Sequence, residues 1–134
     1  MLSGKSGLSV SKAVLIVEGN ELNLKLLNDL LEYHGYQVFT TRFGEAALEL
    51  ARQHRPDLIL MEIQLPDISG MEAARRLKND EQTWMIPIIA VTAFAMPGDE
   101  ANILENGCDA YVSKPLIVTE FLKLIEYWTA QDRP

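Results

Sequence analysis

A doubly wound α/β sandwich, with helices on both faces of a five-stranded parallel sheet, is the fold that residues 12–131 predict. Three observations carry this. Short apolar runs alternate five times with helical stretches, the pattern of βαβ units joined by right-handed crossovers. Three of the runs, at 13–17, 58–61 and 86–91, are apolar at nearly every position, as strands covered on two sides are. The connections are short and punctuated by Gly and Pro.

Residues 1–11 are rich in Ser and Gly without periodicity and predict a flexible leader. AVLIV at 13–17 is the first strand. The helix at 21–33 follows, its six leucines and Tyr33 spread over an arc of about 200°, wider than the usual apolar stripe. An arc that wide implies deep burial or a partner on the outer edge. Gly35 opens the second strand at 37–41, and a helix from about 43 to 54 stops before Pro56, because a proline disfavours helix in the residue preceding it. LILM at 58–61 is the third strand. Ser69 is a candidate N-cap for a helix running to Lys78. The fourth strand is expected at 86–91, a short polar helix at 98–105 closed by Gly107, the fifth strand at 110–113 and the last helix at 118–129.

With 134 residues, 48% of them hydrophobic and 23% charged, the chain suits one ordinary globular domain. A net charge of −7 argues against nucleic acid as a partner. No apolar run has the length of a membrane span and no signal-peptide core is visible, so a cytoplasmic location is expected and no membrane partner. Cys108 is the single cysteine, which excludes an internal disulfide and leaves a small buried apolar side chain as its reading.

Open α/β sheets keep their ligand sites at the carboxyl ends of the strands. Four polar groups are predicted at that rim: Glu18 after the first strand, Glu62 after the third, Thr92 at the end of the fourth and Lys114 after the fifth. Core packing requires none of them. The most informative stretch, PDLILMEIQLPDISG, delivers the Glu62 carboxylate from a buried strand into a loop containing Pro66 and Gly70.

The chain resembles the receiver domains of two-component response regulators, the CheY-like family, over about residues 12–131. It is similar above all to single-domain receivers of the DivK type. The resemblance rests on VLIVEGNELNLKLLNDLLEYHGY, RPDLILMEIQLPDISGMEA, IPIIAVTAFAMPGDE and GCDAYVSKPL, in that order and at family intervals. It implies a flavodoxin-like (βα)5 three-layer sandwich with strand order 2-1-3-4-5, an order that spacing alone does not give. It also implies site roles. The acidic pair that helps hold Mg²⁺ falls on Glu18 and Gly19, the phosphoacceptor on Glu62, and the carbonyl metal ligand on Gln64. The switch hydroxyl falls on Thr92, the switch aromatic on Tyr111, and the lysine that pairs with the phosphoryl group on Lys114. The bond before Pro115 is often cis in the family, which would aim Lys114 into the pocket.

Two positions depart from that pattern. Gly19 offers no side-chain oxygen where the family's main direct ligand stands, and Glu62 is one methylene longer than the aspartate expected, about 1.5 Å of displacement. Phosphoryl transfer depends on position and on metal neutralisation, and misplacement by about 1 Å can cost about 10²-fold. Mg²⁺ binding is therefore expected to be weak or absent, with no cofactor. Glu18 and Glu62 face a single lysine, so pairing of Glu62 with Lys114 is expected to fix the switch. The expectation is an atypical receiver, or pseudo-receiver, acting by protein–protein interaction. The alternative is an ordinary phosphoacceptor switch carrying substitutions at Gly19 and Glu62.

No enzyme is expected, since no Gly-rich phosphate loop follows the first strand and no nucleophile–His pair is visible. The phrase GKSG at Gly4 lacks the spacing and the preceding strand of a phosphate loop. No output domain is expected after the last helix. The family resemblance then implies a histidine kinase, a phosphotransfer protein or a downstream effector as partner, through the face of helix 4, strand 5 and helix 5 that includes Met96, Asn102, Asn106, Tyr111, Val118 and Phe121. A homodimer through helix 1 is the association its wide arc allows. His34 and His54 read as solvated helix ends, Trp84 and Trp128 as edge packing, and Asp57 and Asp67 as solvent-facing.

Overall fold

The computed structural model describes residues 11–93 and 98–131. The elements run β1 (Ala13–Val17), α1 (Glu21–Tyr33), β2 (Gln37–Thr41), α2 (Gly44–His54), β3 (Leu58–Met61), α3 (Gly70–Lys78), β4 (Ile88–Thr92), α4 (Asp99–Glu105), β5 (Ala110–Ser113) and α5 (Val118–Thr129). All strands are parallel, in the order β2-β1-β3-β4-β5. The doubly wound (βα)5 sandwich and its strand order are as expected.

Side chains of a strand point alternately to opposite faces, and here that period of two divides the core. Leu15, Val17, Ile59, Met61, Ile88 and Ala90 pack beneath α2, α3 and α4, against Ala47, Ala51, Ala74, Leu77 and Ile103. Val14, Ile16, Leu58, Leu60, Ile89 and Val91 pack on the other face against Leu27 and Leu31 of α1 and Phe121 and Ile125 of α5. The central strands β1, β3 and β4 are buried along their whole length, which is why they read as uninterrupted apolar runs.

The caps agree with the residue types. Asn20 accepts from the Asn23 amide to start α1, and Ser69 accepts from the Met71 amide to start α3. α2 has no side-chain bond from its own cap residue, Phe43. Asp67 supplies it instead from another loop, accepting from the amides of Gly44 at 2.8 Å and Glu45 at 2.9 Å.

Several expectations are corrected. β4 begins at Ile88 and ends at Thr92, two residues later at its start than the apolar run suggested. Ile86 closes a turn on the Thr83 carbonyl, and Pro87 has no N–H to give the ladder, only a carbonyl that accepts from Ile59. Asp57 is half-buried, its Oδ2 accepting from the Ala13 amide at 2.8 Å; Asp67, although exposed, caps α2. Phe121 is 2% exposed and belongs to the core, not to an outer face. The wide arc of α1 divides: Leu27 and Leu31 are buried, whereas Leu22 is 65% and Leu26 58% exposed. His34 and His54 are exposed at the ends of α1 and α2 as expected, and the His54 ring in addition stacks on Phe39. Residues 1–10 of the expected leader, and Met96, lie outside the described residues.

Candidate functional site

Three backbone hydrogen bonds carry the sheet one residue beyond its strands and fix where the rim side chains begin. Glu18 N–H donates to the Thr41 carbonyl, Glu62 N–H to that of Val17 and Lys114 N–H to that of Thr92. From these anchors the side chains converge. Lys114 Nζ lies 2.7 Å from Glu18 Oε1 and 2.8 Å from Glu62 Oε1. The remaining oxygens fold back on the main chain: Glu18 Oε2 accepts from Asn20 N–H at 3.1 Å, and Glu62 Oε2 from Ile63 N–H at 2.7 Å and, more loosely, Gln64 N–H at 3.4 Å. Glu18 and Glu62 are buried, and the Lys114 side chain is mostly so. Burial pulls the Lys114 ammonium toward deprotonation, but hydrogen bonds to Glu18 and Glu62 outweigh it and hold its pKa above the ordinary lysine range.

The floor is built from loops. A Cβ at Gly19 would stand 3.0 Å from Pro66 Cδ and 3.8 Å from the Gln64 carbonyl oxygen, so positions 19 and 64 do lie together. The Gly19 carbonyl accepts from Arg42 Nε at 2.9 Å, and the same guanidinium lies 3.6 Å from Glu21. Gly70 passes so close to the Glu62 carbonyl that a Cβ there would be 2.0 Å from its oxygen. Gly70 N–H donates to Ile63, and Asp67 ties the loop to α2. Burial raises the Asp67 carboxyl, but the amides of Glu45 and Gly44 prevail and hold it below the usual carboxylate range.

Thr92 ends β4, one strand from Glu62, and is 1% exposed. Tyr111 on β5 is half-buried and packs against the core beneath α2, α3 and α4. The Lys114–Pro115 bond is cis. Of the residues singled out from sequence, Glu18, Glu62 and Lys114 form one bonded cluster and Gly19 and Gln64 meet beside it; Thr92 ends the neighbouring strand, Pro115 follows Lys114, and Tyr111 lies further back on β5 against the core.

Mg²⁺ demands near-ideal octahedral oxygen geometry. The residues present do not fit it. Position 19 has no side-chain donor, and both carboxylates have each oxygen engaged by Lys114 or by backbone amides. Among the described residues no group of three or more His, Cys, Asp or Glu side chains is placed to hold a metal.

Sequence reasoning missed Arg42 and Asp67, and the amides that receive the second carboxylate oxygens. Arg42 and Asp67 bind backbone atoms 23 residues away in sequence, and a backbone acceptor or donor has no residue type to read. The arginine next to the end of a predicted strand was the available signal.

Comparison with known proteins identifies the family. The response regulator receiver domain family matches residues 14–126. The polar-differentiation response regulator DivK of Brucella ovis is 56% identical over 117 residues, covering 87% of this chain and 95% of its own. The DivK of Brucella anthropi is 57% identical over 115 residues, covering 86% and 94%. Among solved structures, the receiver domain of a sensor histidine kinase from Pseudomonas aeruginosa PAO1, with a magnesium ion coordinated in its active-site cleft, has a TM-score of 0.84 at 33% identity and covers 91% of this chain and 100% of that one. A CheY-like receiver domain protein from Methanospirillum hungatei has a TM-score of 0.83 at 27% identity, covering 90% and 94%. A flavodoxin-like sheet, a family match along most of its length and DivK relatives at this identity place the chain in the response regulator receiver family.

Proposed function

We propose that this DivK-like receiver works in two-component signalling as an atypical receiver, a protein–protein interaction module that takes up no phosphoryl group by the Mg²⁺-dependent route. The observation that supports the reading most strongly is the closed Glu18–Lys114–Glu62 cluster beside a glycine at position 19. With both carboxylates satisfied by hydrogen bonds, no acceptor oxygen is left exposed in line for attack. Each protein group in the pocket then has a holding role: Glu18 and Glu62 fix the ammonium, and the amides at 20, 63 and 64 orient the carboxylates. The pocket catalyses no turnover of its own, and the module acts in the cytoplasm. Among the described residues no helix is long and apolar enough to cross a membrane.

Association with a histidine kinase, a phosphotransfer protein or an effector uses the face of α4, β5 and α5. A groove of about 420 Å³ opens there between Tyr111, Ser113, Ile117, Glu120 and Leu124, and Ile117 and Val118 are exposed beside it. Leu22 and Leu26 of α1 offer a second face, for a copy of the same chain.

A two-dimensional amide NMR titration with Mg²⁺ followed by beryllofluoride tests the proposal. The expected spectrum stays well dispersed and unchanged. Saturable shifts at Glu18, Glu62, Thr92 and Lys114 that spread to Tyr111 would establish the second reading, an ordinary phosphoacceptor that tolerates glycine at 19 and glutamate at 62.

A further inference from the structure

A pocket without a metal still needs positive charge among its carboxylates. We infer that Lys114 is the resident cation of this pocket, doing permanently what a divalent ion would otherwise do, and that removing its ammonium opens the pocket to such an ion. This rests on the metal-independent reading proposed above and adds what supplies the charge.

Charge and geometry carry the assignment. Glu18 and Glu62 are 4% and 5% exposed, too buried for solvent to neutralise them. Among the described residues Lys114 is the one cation in ion-pair distance of either. Arg42, the next basic group at the rim, is turned to the Gly19 carbonyl and toward Glu21. An ammonium suits the site because its three rotatable N–H donors need only the two carboxylate oxygens within reach, whereas Mg²⁺ requires a near-perfect octahedron. The two ion pairs, at 2.7 and 2.8 Å, hold the ammonium between the carboxylates, and the Lys114 side chain is 18% exposed. The Pro66 ring, 3.0 Å from where a Cβ at position 19 would be, crowds the entry of a third carboxylate.

Two experiments on the full chain test this. In the wild type, nitrogen-15 NMR of lysine ammonium groups should show Lys114 as a protected, slowly exchanging signal that millimolar Mg²⁺ leaves in place. Its absence, or its saturable loss on adding Mg²⁺, would overturn the assignment. In the second, Lys114→Met leaves two buried carboxylates facing each other without a countercharge. Ca²⁺, which tolerates irregular oxygen ligation, should raise the melting temperature of Lys114→Met in a saturable way and leave the wild type unmoved. Adding Glu18→Gln to Lys114→Met should abolish the Ca²⁺ effect. If Lys114→Met responds to Ca²⁺ no more than the wild type does, the ammonium is not standing in for a cation. Should Lys114→Met fail to fold, the wild-type ammonium spectrum decides alone. A beryllofluoride response in the wild type would sink the proposed function while leaving a protected Lys114 signal, recorded before its addition, to support the resident cation.

Discussion

Position 62 carries a glutamate, one methylene longer than aspartate, and its two oxygens take different partners. The longer side chain sends Oε1 to Lys114 and brings Oε2 back to the amide of the next residue. Truncating Lys114 to methionine leaves buried charge uncompensated and should cost about 3 kcal/mol in urea denaturation, the low end for a broken buried pair because the lysine keeps some solvent contact. The lysine also sets a pH dependence. Its folded pKa is raised, so its contribution is whole below the unfolded value of about 10.4 and disappears as pH rises through the folded one. Wild type should therefore lose stability above about pH 10 more steeply than Lys114→Met; parallel curves would refute the coupling. Gly70 is a second single-residue constraint. Gly70→Ala must displace the backbone carrying Glu62 and should destabilise by about 3 kcal/mol, read in the same denaturation assay.

Elements were largely legible because apolar runs and Gly or Pro punctuation specify them locally. β1, α1, β2, β3, β5 and α5 have the bounds that the sequence suggested. Where the reading failed, the deciding contact was distant. Asp57 reaches a strand 44 residues away, and the start of β4 depends on Asp109 accepting from Ile88 N–H across to β5. The face implied by the family resemblance puts Phe121 at a surface, whereas its i+4 and i+8 partners Ile125 and Thr129 mark the buried side of α5. The rim positions of Glu18, Glu62 and Lys114 were legible from strand ends, but the bonds among them required the fold. The cap that Asp67 lends to α2 belongs to this scale. Asp67→Ala should cost about 1 kcal/mol and speed amide exchange at Gly44 and Glu45. Because the Asp67 pKa is depressed in the fold, its contribution stands at neutral pH and fades as pH falls through that lowered value, so the penalty of the substitution should shrink in acid.

For the molecule as a whole, the division of the core by strand alternation leaves α1 with two roles. Its inner leucines hold the sheet, while among the described residues Leu22 and Leu26 stand outside the core and mostly exposed. Replacing both outer leucines with serine should change stability by no more than about 0.5 kcal/mol. The homodimer proposed through α1 predicts that the wild type self-associates in analytical ultracentrifugation and that the doubly substituted chain stays a monomer; a wild type that is monomeric throughout would refute that interface.

Trp84, in the α3–β4 turn, and Trp128, near the end of α5, line a single groove with Met85 and Pro87, beyond the start of β4. The rim where Glu18, Glu62 and Lys114 meet is at the other end of the strands. Tryptophan fluorescence of this protein is thus an unfolding signal from side chains remote from the rim. Ligands that act at the rim can therefore be compared by their effect on the unfolding midpoint read from Trp84 and Trp128, without contact between ligand and fluorophore there.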